Sequence, residues 1–427
     1  MSNKLLQKTD WITIIIYAIL VFIGWLNIYS ATLTTAEHSL LDLSQSYGKQ
    51  LLFIGVSVFV IFLIMAIDAK FYERFSSIIY LASLASLLGL FVLGSTINGA
   101  TSWYIFGGIS IQPSEFAKAA TALALSKFLS DIQTNIKTLK DQLKAFLILT
   151  LPALLIIPQP DPGSAFVYGA FFFVLYREGL PPIYLFIGMG AAALFVATLI
   201  FGPAWVAVMV LLMVLTVFIF KKRKNKRTPL IPFLLVLVGA VVFSFSVRFI
   251  YDNVFEQRHR DRFSLWLRLE RDPAKLEKIK KTIGYNTNQS EEAIGSGGFY
   301  GKGFLEGTRT KGDFVPEQHT DYIFSTVGEE WGFLGSTLVV ILFSFLLLRL
   351  LLLAERQKSQ FSRIYGYSVA SILFFHFAIN IGMVIGLLPT VGIPLPFFSY
   401  GGSGLLGFTI LLFVFLKLDA NRINEWL

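Results

Sequence analysis

The chain has 427 residues, of which 55% are hydrophobic and only 15% charged, and its mean hydropathy is +0.67. Soluble domains carry roughly a quarter charged residues, so this composition excludes a soluble protein. The absence of cysteine excludes disulfides, thiolate catalysis and thiolate metal sites. In so apolar a chain the net charge of +9 reflects basic cytoplasmic loops rather than nucleic-acid binding.

The apolar residues arrive in blocks of about 20, enough to cross a hydrocarbon core as a helix. Runs such as "LLFIGVSVFVIFLIMAI" lack the two-residue alternation of a barrel strand. The expected fold is therefore an all-α polytopic membrane protein. In chain order, spans are predicted near 11–31, 49–68, 73–95, 115–130, 143–159, 163–178, 182–201, 203–220, 229–250, 326–353, 365–388 and 403–418, twelve in all. The opening "MSNKLLQKTDW" puts two lysines before a long span without a small-residue cleavage site, the pattern of a signal anchor. The prolines of "PQPDPGS" turn the chain between the fifth and sixth spans.

With the N-terminus inside, the basic residues fall on one side: Lys4 and Lys8, Lys70 and Arg74, Lys137 and Lys140, Arg177, "KKRKNKR" at 221–227, Arg356, Lys358 and Arg363, and Lys417 and Arg422. Both termini are then cytoplasmic by the positive-inside rule. Residues 251–325, with 12 basic and 12 acidic residues, form a long outside loop, a class that translocates regardless of charge. The expected organisation is 1–250 with about nine helices, 251–325 as this extracytoplasmic loop, and 326–427 with three helices. Within the loop, "EQRHRDRFSLWLRLERDPAKLEKIKK" is expected as an amphipathic helix, on the outer membrane face or simply solvated. The glycine-rich run "AIGSGGFYGKGFLEGTRTKG" is expected to be too flexible for a core.

Four constellations could carry chemistry. "VPEQHTDYIFSTVGEEWGFLG" sets His319, Asp321, Glu329 and Glu330 at the lip of a span. Asp321 or Thr320 could cap the helix beginning near Ile323, with the two glutamates as first-turn acids favoured by the dipole. Alternatively Asp321 is a partly desolvated carboxylate suited to accepting a proton. In "QPSEFAK", Glu115 and Lys118 share a helix face, an intramembrane pair that either neutralises itself or offers Lys118 to an anion. "QPDPGS" puts Asp161 at an outside turn, as ordinary turn chemistry or as a site residue. "GLLPTVGIPLPFFSYGGSG" breaks a span near the outer leaflet, where Ser399, Gly401, Gly402 and Ser403 line either a cavity or a ligand-free re-entrant hairpin. "GSGGFYGKG", with Lys302, lacks phosphate-loop spacing, but exposed amides beside a cation suit a phosphate. The four histidines, His38, His259, His319 and His376, show no metal-ligand spacing.

Together "INGATSWY", "IQPSEFAK", "QPDPGS", "NQSEEAIGSGGFYGKGF", "PEQHTDYIFSTVGEEWGFLG" and "GLLPTVGIPLPFFSYGGSG", in this order and over most of the chain, resemble the shape, elongation, division and sporulation (SEDS) family. The glycine-rich pattern looks closer to the elongation branch than to the division branch. The resemblance implies a peptidoglycan glycosyltransferase that polymerises lipid II at the outer face of the bacterial inner membrane, for elongation and rod shape. It also implies that the aspartate of the family's TDF motif, essential for activity, falls on Asp321, although Tyr322 stands where Phe is commoner. A single base would suffice because diphosphate is a good leaving group in this inverting, β-1,4-forming reaction. Lys118, oriented by Glu115, is the first candidate to stabilise that diphosphate, then Lys302 and Arg309. Trp103, Asp161, His319 and Ser399 complete the substrate-binding candidates.

The implied partners are lipid II, a class B penicillin-binding protein, other elongation-complex proteins and membrane lipids, but no nucleic acid. No cofactor is certain, and Mg²⁺ held partly by substrate is compatible with the resemblance. The family usually has ten spans, so a two-helix insertion is expected near 203–250. The rival readings are a lipid II flippase, suggested by the buried ion pair and broken helices, a division-type member of the family, and a non-catalytic scaffold.

Overall fold

The computed structural model describes residues 9–33, 39–97, 99–107, 109–224, 228–270, 272–282, 284–312, 314–315 and 317–422. Lys4, Lys8 and the rest of the anchor's charged end, His38, and 225–227 of the basic run lie outside the described residues.

The chain is mostly helical. After α1 (Trp11–Thr32), α2 (Ser46–Ala66) and α3 (Ala69–Leu93) comes a feature the all-helical reading missed, a three-stranded antiparallel sheet of β1 (Ser95–Ile97), β2 (Ala100–Phe106) and β3 (Ile109–Ile111). Its register sets Ser95 opposite Trp103 and Tyr104 opposite Ile111. "STI" and "ATSWYIF" are rich in the β-branched and aromatic residues that favour strands, but segments this short between spans escape a search for apolar blocks.

The helices continue with α4 (Pro113–Leu129), α5 (Leu139–Ile156), α6 (Pro162–Phe166), a 3₁₀ turn (Val167–Ala170), α7 (Phe171–Arg177), α8 (Ile183–Phe201), α9 (Pro203–Lys224) and α10 (Ile231–Asn253). Then come α11 (Gln257–Trp266), α12 (Pro273–Lys281), α13 (Tyr285–Gly297), α14 (Thr308–Lys311), α15 (Ile323–Glu355), α16 (Gln360–Val384) and α17 (Gly402–Asn421). Among the described residues nine helices, α1–α3, α8–α10 and α15–α17, are long and apolar enough to cross a membrane. The other three expected spans are helical but fall short. α4 has 17 residues, α5 opens on charges and contains Pro152, and 163–178 is broken into three pieces.

Two compact units emerge, one from residues up to Leu180 and from Asn286 onward, the other Pro181–Tyr285. In the first, α4 is central and packs against α3, α5, α16 and α17. Its buried Ala117, Ala119, Ala120 and Ala122, with Ser114 and Thr121, are the small residues that let helices approach closely in lipid. In the second, Val206, Val210 and Val214 of α9, one turn apart, pack against Leu194 and Ala197 of α8 and Phe233, Leu237 and Ala240 of α10. Here the single amphipathic helix expected after 256 is two. Asp272 is extended before Pro273, as residues preceding proline prefer, and caps α12 by accepting from the Ala274 amide at 3.0 Å.

The glycine-rich run is not a loose strap. α15 breaks at Gly332 (φ 64°, ψ −157°), and the run docks into the break. The Lys302 and Gly303 amides donate to the Glu329 and Glu330 carbonyls (both 3.0 Å), and the Phe333 amide donates to the Gly298 carbonyl at 2.9 Å. These bonds satisfy backbone groups that an interrupted helix leaves orphaned. A Cβ on Gly332 would lie 2.3 Å from the Gly301 nitrogen, so only glycine allows the approach.

Candidate active site

Asp321 ends an irregular turn just before α15. The N-cap position of that helix is Tyr322, without a side-chain cap bond, and the Thr320 hydroxyl donates back to Glu317 at 3.0 Å (carbonyl) and 2.9 Å (carboxylate). The segment is instead gripped from several directions. The buried Asn380 amide of α16 donates to the Asp321 and Ile393 carbonyls, 2.7 Å each. The Tyr322 hydroxyl meets those of Thr287 on α13 (3.0 Å) and Thr390 (3.2 Å), themselves 3.1 Å apart. The His319 carbonyl accepts from the Tyr400 amide at 2.8 Å, and the two rings lie 5.4 Å apart. The half-buried Asp321 side chain brings Oδ2 to 3.4 Å from where a Cβ on Gly392 would sit.

The segment 385–401 is thus the hub of the site. It also meets the "QPDPGS" turn, since a Cβ on Gly163 would lie 2.8 and 2.9 Å from the Val391 and Gly392 carbonyl oxygens. Within that turn Asp161 caps α6, accepting from the Ser164 amide (3.1 Å) and from the Gln112 side chain (2.8 Å). Ser399 is 7% exposed, and its hydroxyl accepts from the Leu395 amide at 2.9 Å; it braces the hub. Trp103, half-buried on β2, is carried by a sheet tied to the same turn through the Thr101 amide and Gln159 carbonyl, 3.1 Å apart.

Glu115 and Lys118 are enclosed, 4% and 2% exposed. The Lys118 ammonium donates to Glu115 Oε1 at 2.8 Å, approaches His376 Nε2 at 3.0 Å and lies 4.9 Å from the Phe408 ring centre. His376 Nδ1 is 3.2 Å from the Pro394 carbonyl oxygen. A carbonyl only accepts, so Nδ1 carries the proton and Nε2 is free to accept from Lys118. His376 thereby links the intramembrane pair to the hub. Glu115 Oε2 is buried with no hydrogen-bond partner.

A second cluster surrounds Glu329. Its Oε1 accepts from Lys302 Nζ (2.7 Å), the Arg309 amide (2.9 Å) and the Thr308 hydroxyl (3.3 Å), and its Oε2 from the Thr310 amide and hydroxyl (2.8 Å each). The expectation that Glu329 and Glu330 are first-turn acids is therefore corrected: both are buried beyond the first turn, and the Glu330 carboxylate accepts from the Ser30 hydroxyl. Arg309 pairs with Glu292 at 2.5 Å. Gln318, missed in the sequence, spans outward from this cluster, its side-chain amide donating to the Ala31 (2.8 Å) and Thr310 (2.9 Å) carbonyls. His376 and Asn380 were missed as well. Polar side chains one turn apart inside an apolar block were the available signal. Among the described residues no three His, Asp or Glu side chains converge on a point that could hold a metal.

The profile of the FtsW, RodA and SpoVE family of cell cycle proteins matches residues 10–187 and 178–424. The peptidoglycan glycosyltransferase RodA of Treponema pallidum is 30% identical, covering 97% of this chain and 98% of its own. The stage V sporulation protein E of Bacillus subtilis is likewise 30% identical, over 98% of both chains. A solved structure reported for the structural coordination of polymerization and crosslinking by a peptidoglycan synthase complex superposes with a TM-score of 0.71 at 26% identity, covering 98% of this chain and 99% of that one. This multi-pass membrane chain belongs to the FtsW, RodA and SpoVE family.

Proposed function

We propose that this chain is a lipid II polymerase of the elongation type, working at the outer face of the bacterial cytoplasmic membrane with Asp321 as general base. Family membership supports the enzyme class, since its relatives include named peptidoglycan glycosyltransferases. One geometric observation carries the assignment of the base: Asp321 stands where the 317–322 turn and the 385–401 hub meet, and the 159–164 turn packs on the same hub at Val391 and Gly392. In this reading α4, α5 and the α6–α7 segment complete twelve crossings, both termini are cytoplasmic, and α9 and α10 are additions to a ten-span core.

In the reaction, the Asp321 carboxylate takes the proton of the acceptor sugar's 4-hydroxyl as that oxygen attacks the donor's anomeric carbon. The new β-1,4 bond forms as the bond to diphosphate breaks, and undecaprenyl diphosphate departs with the electron pair. Developing negative charge on the diphosphate calls for fixed cations. Lys302 and Arg309, 26% and 30% exposed, are the accessible ones. Lys118 is enclosed and acts through its field and through His376 on the hub. The partner of this reading is a class B penicillin-binding protein that cross-links the new strands.

The test is polymerisation of purified lipid II in detergent by wild type and Asp321→Asn, with and without that partner. Loss of a general base costs about 10²–10⁴-fold, so Asp321→Asn should make no detectable strands while melting like wild type. Strands at the wild-type rate would remove Asp321 from the mechanism. A wild type that makes no strands with its partner but moves lipid II across vesicles would replace the polymerase with a transporter.

A further inference from the structure

α9 and α10 flank, within their own unit, an open cavity of about 600 Å³. Met213, Val217, Phe233 and Val236 form its walls, and Lys221 and Lys224 stand at one end. The Lys221 ammonium lies 5.7 Å from the Phe233 ring centre, and the Thr228 hydroxyl donates to the Lys221 carbonyl at 3.3 Å. The cavity thus has an apolar body and a cationic end. From 203 to 251 the sequence contains no aspartate or glutamate, while Lys221, Lys222, Arg223 and Lys224 are consecutive. The hairpin's one carboxylate, Asp252, stands at the other end of α10 and is paired with Arg248 at 2.7 Å, so it does not balance that charge.

We infer that this cavity binds an anionic phospholipid of the cytoplasmic leaflet, its phosphate between Lys221 and Lys224 and an acyl chain along Val217, Phe233 and Val236. Charge complementarity selects the occupant, because basic pockets between spans on the cytoplasmic side take anionic headgroups and an apolar slot facing lipid takes a chain. A zwitterionic lipid would fill the body but leave the lysines uncompensated. A free phosphate would meet the lysines but leave the body empty. The inference rests on the cytoplasmic placement of residues 221–224 but not on the chemistry at Asp321.

The experiment is native mass spectrometry of the full chain in micelles, titrated with dioleoylphosphatidylglycerol, dioleoylphosphatidylcholine or inorganic phosphate. The variants are Lys221→Gln/Lys224→Gln, Val217→Trp to fill the slot, and Lys70→Gln/Lys358→Gln as a control at other basic positions. Each lysine near an anionic headgroup contributes about a fivefold preference. Wild type should therefore retain the glycerol lipid about 25-fold better than the choline lipid, and the Lys221/Lys224 variant should lose that preference. Val217→Trp should lose retention with its lysines intact, and the control should match wild type. Equal retention of both lipids, an unaffected Lys221/Lys224 or Val217→Trp variant, equal loss in the control, or competition by inorganic phosphate at lipid concentrations would each overturn the site. Lipid II polymerisation assayed on the same preparations keeps a failure here separate from a failure of the proposed activity.

Discussion

Glu115 and Glu329 are both buried, and both face a lysine, yet they are built differently. Glu329 is saturated, with two backbone amides, two hydroxyls and Lys302 dividing its two oxygens. Glu115 gives one oxygen to Lys118 and leaves the other buried without a partner. A satisfied buried carboxylate organises the chain around it, as Glu329 organises the turn at 308–310. A partly satisfied one in a low-dielectric interior is costly, and the cost is most readily explained by what its neighbour does. The first is a clamp, and in the proposed reaction the second belongs to the working part of the site.

That contrast can be broken by substitution. The largest effect on folding is expected at the clamp. Glu329→Gln strands Lys302 and turns an amide toward donors, and breaking a buried pair costs about 3–5 kcal/mol. Thermal melting in detergent should show it, and a melt within a degree of wild type would remove the clamp. At the other pair the neutral double variant Glu115→Gln/Lys118→Met should melt within about 1–2 kcal/mol of wild type or above it, because apolar replacement of a buried ion pair is often neutral or stabilising. Its lipid II polymerisation should nonetheless fall at least about tenfold, less than the about 10²–10³-fold of a lost direct donor because Lys118 is enclosed. Full activity would make that pair a structural one. The smallest effect is expected at Tyr322→Phe, which removes one hydroxyl from the triangle with Thr287 and Thr390. It should cost about 1 kcal/mol and slow polymerisation a few-fold at unchanged lipid II affinity. A change in affinity alone would move Tyr322 from positioning Asp321 to binding substrate.

Much of the architecture was legible because lipid punishes exposed polar groups. The apolar blocks located the nine long helices, and charges inside such blocks pointed to Glu115 and Lys118. The proline turns bracketed the hub. What escaped was whatever depends on a distant partner. His376 meets Lys118 across 258 residues and Ser30 meets Glu330 across 300, and no local pattern encodes either. The glycine-rich run misled for the same reason. Glycine without a partner reads as slack, whereas here it permits a close backbone approach, visible only once α15 is known to break. Asp161 illustrates the converse, since its bond from the Ser164 amide follows from turn chemistry that the sequence already offered.

The break at Gly332 also has a mechanical meaning. The helical stretch beyond it, 333–355, is about 34 Å long at the standard rise, close to the thickness of a hydrocarbon core. A bilayer that thickens or thins is met by tilting a span, and a continuous 33-residue helix would swing its outer end with every change of tilt. At Gly332 the glycine-rich run instead bonds both sides of the break, the Glu329 and Glu330 carbonyls before it and the Phe333 and Leu334 amides after it, so the angle at which the span leaves the 308–310 region is set by a backbone splint rather than by helix continuity.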